Sequence, residues 1–292
     1  MLLFMRLMRE SARSFDRDDG YALASHIALQ GLTAIFPFLI FVTSFAGFFG
    51  AQKVADEAAS AFFEIWPPQV ANPILGEIHN VLSSRHGGLL TISAGLAVYF
   101  ASSGVEALRT GLNRAYRLRE TRPWWRLRLQ SIAYVLVGAM ALLSLAFLLV
   151  LGPMVWTIAL QFVPRLDAVS DWVATARYII ATVILLAALV IAHRFLPNAR
   201  LSLRQIAPGI MLTFGAWMAF ALAFSAYLGE FAFNYVATYA GLASVMIAIV
   251  FLYALAAIFI FGGEVNSALE RVRARRVRAE TAEIPKQRAD EA

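Results

Sequence analysis

The chain has 292 residues, of which 60% are hydrophobic and only 15% charged, and it carries a net charge of +6. Soluble domains are roughly a quarter charged, so this composition excludes a soluble enzyme and describes one membrane-embedded domain. With no cysteine, disulfides, thiolate metal sites and cysteine nucleophiles are excluded as well.

Residues 1–20 come first. Leu2, Leu3, Met5, Leu7 and Met8 alternate with Arg6, Arg9 and Arg13, the pattern of a short amphipathic helix lying in the inner membrane interface. Arg6 interrupts the apolar residues before a cleavable signal can form, so the first span is expected to act as its own insertion signal. Asp16 to Gly20 ends this helix, and Asp18 or Asp19 offers a cap for the next.

The first span, about 21–50, has no formal charge. It would reach ~45 Å as a helix, well beyond a ~30 Å hydrocarbon core, and Pro37 predicts a kink or tilt. Ala24, Ala28 and Gly31 form a ridge of small residues suited to close helix packing. His26 and Gln30, four apart, share a face and are expected to point inward, for hydrogen bonds between helices or for a proton relay.

Two amphipathic surface helices are expected over about 53–85, separated by Pro67-Pro68. His79 and His86 lie there without the spacing of a zinc site. The other spans are about 88–112, 129–152, 172–193, 205–228 and 241–263, with a break expected near Gly152-Pro153 and Pro208-Gly209 in the first turn of the fifth. The aromatic segment from Tyr227 to Tyr239 fits an interfacial or re-entrant piece. Residues 21–266 thus form the transmembrane domain, and 267–292 a basic cytoplasmic tail, disordered beyond about Ala279.

Arginine placement orients these elements. Of 25 Lys and Arg residues, 21 fall in the N-terminus, the second and fourth loops and the C-terminus. Such residues resist translocation. The fold class is therefore all-α: six transmembrane helices with short amphipathic interfacial helices and both termini cytoplasmic. The basic cytoplasmic side fits anionic inner-leaflet headgroups rather than nucleic acid.

Most residues of chemical interest fall at that cytoplasmic boundary. Glu106 and Arg109, three apart, share a helix face beside Asn113. They suit either a lipid headgroup or an intrahelical pair clamping the second span. Glu264 and Asn266 follow Gly262-Gly263 at the end of the sixth span, and Asn198 lies in the fourth loop at the same depth. These groups either converge on a polar pocket or form a solvated ring. The sequence holds none of the GxxxxGK[ST], HExxH or GxSxG signatures, and no metal or other cofactor is expected.

Several short motifs occur in a characteristic order. They are Phe36-Pro37, Ser103-Gly104 with Ala107-Leu108 and Asn113-x-Ala115-Tyr116, Arg122-Pro123-Trp124-Trp125 and Phe195-Leu196-Pro197-Asn198. Pro208-Gly209, Phe224-x-x-Tyr227, Tyr239-Ala240-Gly241 and Gly263-Glu264-x-Asn266 complete the set. In their order and spacing the chain resembles the YihY / virulence factor BrkB family, once called ribonuclease BN, from about residue 10 to 270. One departure is Ala240-Gly241, where many members have Tyr-Gly directly. The resemblance implies a six-helix inner-membrane protein and no settled biochemistry.

The nuclease name finds no convergent carboxylates or histidines to hold metal ions. The expected function is non-enzymatic: binding or moving an amphipathic, lipid or lipid-linked substrate. The alternative is a structural protein joined to an envelope partner through its outer helices. Homo-oligomers are compatible with either.

Overall fold

The computed structural model describes residues 2–48, 87–239 and 243–290, all helix and connecting turns with no strand among them. The expected outer helices over 53–85, with His79 and His86, lie outside the described residues. The elements are α1 (Leu2–Arg17), α2 (Gly20–Phe48), α3 (Gly87–Ala115), α4 (Trp124–Ala146), α5 (Gly152–Phe162), α6 (Ser170–Phe195), α7 (Leu203–Tyr239) and α8 (Ala243–Asp290). A π turn, Phe147–Leu151, precedes α5, and a 3-10 turn, Pro164–Val169, follows it. The π turn ends where Pro153 can donate no amide hydrogen, which accounts for the break expected there.

Four described stretches are long and apolar enough to cross a membrane: Trp124–Leu149, Pro164–Phe195, Leu203–Glu230 and Val245–Arg275. Their outward faces are apolar and exposed, with Leu136, Met140, Leu143, Tyr178, Ile179 and Met211 among the uncovered side chains. Exposed apolar surface on this scale belongs against lipid. This is a multi-pass membrane protein.

Packing centres on α8, which touches α1, α2, α3 and α7. Seven consecutive residues, Gly262 to Ala268, are buried, so helices surround this part of α8 on every side. Glycine makes the approach possible. A Cβ on Gly209 of α7 would collide with the Gly262 carbonyl oxygen, and one on Gly262 would collide with the Thr213 hydroxyl. A Cβ on Gly263 would lie 3.1 Å from Leu112 and 3.3 Å from Ala115 of α3. On α2, Ala24 and Ala28 of the small-residue ridge are buried, and Gly31 lies opposite Leu252 of α8. The apolar core continues through Leu112, Leu189, Ile206, Ile210, Phe259 and Ile260.

Three local expectations change. Of Asp18 and Asp19, either of which is expected to cap α2, Asp19 accepts the Leu23 amide through its carbonyl (3.0 Å), while its side chain accepts from Arg114 (3.0 Å). Its backbone is left-handed, with φ 56°, because it turns the chain between two helices. The segment Tyr227–Tyr239 continues α7 without a break, so it is no separate re-entrant piece. Likewise α8 stays helical past Ala279, as far as Asp290.

His26 also departs from the inward orientation expected of it. It is exposed, and Gln30 is half-buried. The buried stripe of α2 runs through Leu23, Ala24 and Ala28, and two residues of helix rotate His26 about 200° from Ala24.

Because the α7–α8 approach leaves no room for a methyl group, Gly209→Ala is expected to destabilise the fold by roughly 1–3 kcal/mol. Thermal unfolding in detergent would read this as a lowered midpoint, with Gly215→Ala, where a Cβ meets open space, as the neutral control.

Candidate functional site

The polar residues near the ends of α3, α4 and α6 and in the middle of α8 assemble into three nodes. The first surrounds Glu120. α3 ends in a Schellman motif: Leu118 N–H donates to the Asn113 carbonyl (2.7 Å) and Arg117 N–H to the Arg114 carbonyl (2.9 Å). Arg117 takes the left-handed position with φ 57°. This reversal carries Glu120 back beneath α3.

There Glu120 and Arg122 form a two-pronged pair, Arg122 Nε to Oε1 and Nη2 to Oε2, both 2.8 Å. Asn113 Nδ2 donates to Oε2 (3.0 Å), and the backbone amides of Thr121 and Arg122 donate to Oε1 (3.2 and 3.1 Å). Arg109 Nε lies 3.8 Å away. Hydrogen bonding from Arg122 holds the Glu120 carboxyl down to about 2 from the usual 4.5, against the opposing effect of burial. The same bond raises the pKa of Arg122.

This node ties three elements together. Arg122 also donates to Gln130 Oε1 of α4 and to the Leu196 carbonyl beyond α6, both 3.0 Å. Asn198 N–H donates to Asn113 Oδ1 (2.8 Å), while Asn198 Nδ2 donates to the Arg119 carbonyl (2.8 Å) and Thr121 Oγ1 (2.9 Å). Arg109, only 7% exposed, donates to Ser131 Oγ (3.1 Å) and the Leu127 carbonyl (3.4 Å) of α4.

Glu106 and Arg109 therefore do not act as one pair. Glu106 accepts from Arg128 of α4 (3.1 Å), whose guanidinium also lies 4.5 Å from the Tyr99 ring. Both α3 side chains reach across to α4, but from different positions.

The second node surrounds Asn266. Pro208 interrupts the hydrogen-bond ladder of α7, and Gly209 N–H donates to Asn266 Oδ1 (2.6 Å). Asn266 Nδ2 donates to the Tyr116 hydroxyl (3.0 Å). Burial raises the Tyr116 pKa, so the hydroxyl stays protonated. Ser202 and Gln205 start α7 in the manner of a capping box, Gln205 Oε1 accepting the Ser202 amide at 2.7 Å.

The third node is Glu264 of α8, 1% exposed. Asp18 is its acidic neighbour, with Arg17 and Arg271 as the nearby cations. Arg271 itself holds Glu10 (3.3 Å), Ser267 (2.6 Å) and Ser14 (3.2 Å).

Of the six residues expected at one site, Asn113 and Asn198 bond directly, and Arg109 joins them through Glu120. Asn266 lies beside Tyr116 at the foot of α3, Glu264 lies near Asp18, and Glu106 pairs separately. Among the described residues no three His, Cys, Asp or Glu side chains gather as metal ligands. Sequence reasoning missed Glu120. Its signal was available: it is the one acid between Arg109 and Arg128, among seven arginines.

A profile of the virulence factor BrkB family matches residues 11–287. The chain belongs to that family. It is also similar to the Bacillus subtilis (strain 168) protein named "Putative ribonuclease-like protein YfkH", 27% identical over 267 residues, covering 91% of this chain and 96% of that one. No solved structure gives a significant match. In this BrkB-family chain the motif residues Asn113, Tyr116, Arg122, Asn198, Gly209 and Asn266 are among those that build the first two nodes.

Glu120 has a folded pKa below its unfolded one, so its stabilisation is complete above about pH 4.5 and is lost as pH falls toward 2. Melting temperatures across that window should fall for the wild type, and Arg122→Gln should flatten this slope. At neutral pH, Arg122→Lys should lose the fork and roughly 1–2 kcal/mol, a figure reduced for partial exposure.

Proposed function

We propose that this chain is a six-span inner-membrane protein with cytoplasmic termini, α2 and α3 adding to the four long apolar spans. In this reading it binds or moves an amphipathic lipid or lipid-linked molecule at the cytoplasmic boundary, without catalysing a covalent step. The observation that carries the reading is a rim of arginines lying on exposed aromatics at the end of the spans where the polar nodes sit. Arg126 lies 5.1 Å from the Trp125 ring, and Arg194 lies 5.6 Å from the Phe195 ring. Trp124 and Trp125 are 79% and 52% exposed.

Aromatic side chains favour headgroup depth, and a guanidinium held there offers fork geometry for a phosphate. The internal nodes alter which residues serve this role. Arg109, Asn113 and Asn198 are engaged with protein partners, so they hold the helices that present the rim. Headgroup contact falls to Arg126 and Arg194. The nuclease in the relative's name is not adopted here, because Glu106 and Glu120 are paired with arginines.

Lipid movement in proteoliposomes containing phosphatidylglycerol provides the test. Arg126→Ala with Arg194→Ala should slow movement several-fold while leaving the melting temperature near wild type. Arg109→Ala should instead lower the melting temperature. Wild-type rates equal to those of empty liposomes would sink the reading.

A further inference from the structure

The strongest feature outside the arginine rim is the pair of carboxyls where α1 ends against α8. Glu264 Oε2 and Asp18 Oδ2 are both buried atoms with no hydrogen-bond donor, and each residue lies within electrostatic and hydrogen-bonding reach of the other. A carboxylate oxygen can only accept. Two buried carboxylates this near one another repel unless one of them carries a proton.

Arg17 and Arg271 are the other charged groups acting on Glu264. Their positive charge opposes a divalent cation strongly and a single proton less, and burial and the adjacent carboxylate offset it for the proton. Arg17 is engaged by the other Asp18 oxygen at 3.5 Å, and Arg271 by Glu10, Ser14 and Ser267. From α3 the nearby group is the Tyr116 hydroxyl, bonded to Asn266. The stripe of α2 packed in this core, Leu23, Ala24 and Ala28, carries no charge, nor do Gly209 and Thr213 of α7.

We propose that Asp18 and Glu264 form a proton-binding site that holds α1 against α8. One carboxylic acid donates to the other carboxylate. Loss of that proton to water leaves two adjacent negative charges and weakens the docking. The consequence reaches beyond this contact because α1 carries Ser11, Ser14 and Phe15 into buried positions. Its opposite face, with Arg6, Arg9 and Arg13, stays exposed. Release of α1 would uncover the middle of α8, including Glu264 and Ser267.

The absence of native cysteine permits a direct test. Spin labels at Ala12→Cys and Ala274→Cys, both exposed positions on α1 and α8, report the separation of the two helices in the full chain reconstituted in lipid. Raising pH from mildly acidic to alkaline should lengthen that separation in the wild-type background. Glu264→Gln and Asp18→Asn each supply a permanent amide donor, so both should stay docked throughout. A wild-type separation independent of pH, or a Glu264→Gln protein that titrates like wild type, would overturn the proposal. If either variant fails to fold, infrared spectroscopy of the wild type decides. A buried protonated-carboxyl band at mildly acidic pH that disappears on alkalinisation supports the site, and its absence at mildly acidic pH refutes it.

Discussion

The close approach of α7 and α3 to the Gly262-Gly263 step of α8 is the constraint on which the polar end of the bundle depends. Helices that approach this closely leave no space for a Cβ at Gly209, Gly262 or Gly263 without displacing a neighbour. The same approach encloses the next turn of α8, so Glu264 and Asn266 become interior residues although the sequence places them at the end of a span. Once enclosed, each needs a partner, since an unmatched buried polar group costs roughly 1–3 kcal/mol. Asn266 finds one in the amide that α7 presents beside Pro208, whereas Glu264 Oε2 is left without a donor.

The Glu120 node solves a related problem for the connecting turns. Loops at the end of a bundle carry backbone groups that regular helices cannot pair. Arg122, Asn113 and Asn198 supply those partners from side chains, joining the α3–α4 turn to the turn after α6. The carboxylate is nearly saturated by donors. A group so fully engaged is poorly suited to acid–base chemistry and well suited to fixing helix ends. Arg126, outside the node, stays exposed.

Legibility in the sequence followed the range of the interactions. The helical class, the long apolar segments and the break near Gly152-Pro153 depend on local composition and backbone chemistry, and they were readable. The left-handed cap at Arg117 and the continuation of α7 through Tyr239 were not, because neither depends on a residue type that demands it. Arg117 has an ordinary side chain in a position that favours glycine. The aromatic residues beyond Tyr227 resemble an interfacial segment in composition, yet nothing in them stops a helix.

The sequence by itself determined the helical class, the long apolar segments and the position of most chemistry-bearing groups near the ends of those segments, since charge cannot enter hydrocarbon cheaply. Only the tertiary structure decided which of those groups meet. Helical spacing put Glu106 and Arg109 on one face, but their partners, Arg128 in one case and Ser131 and Glu120 in the other, come from residues 11 to 22 positions away. Asp18 and Glu264 are farther apart still, and no local pattern relates them. Their meeting follows from the way α1 packs along α8, a choice made by shape and burial across the whole bundle.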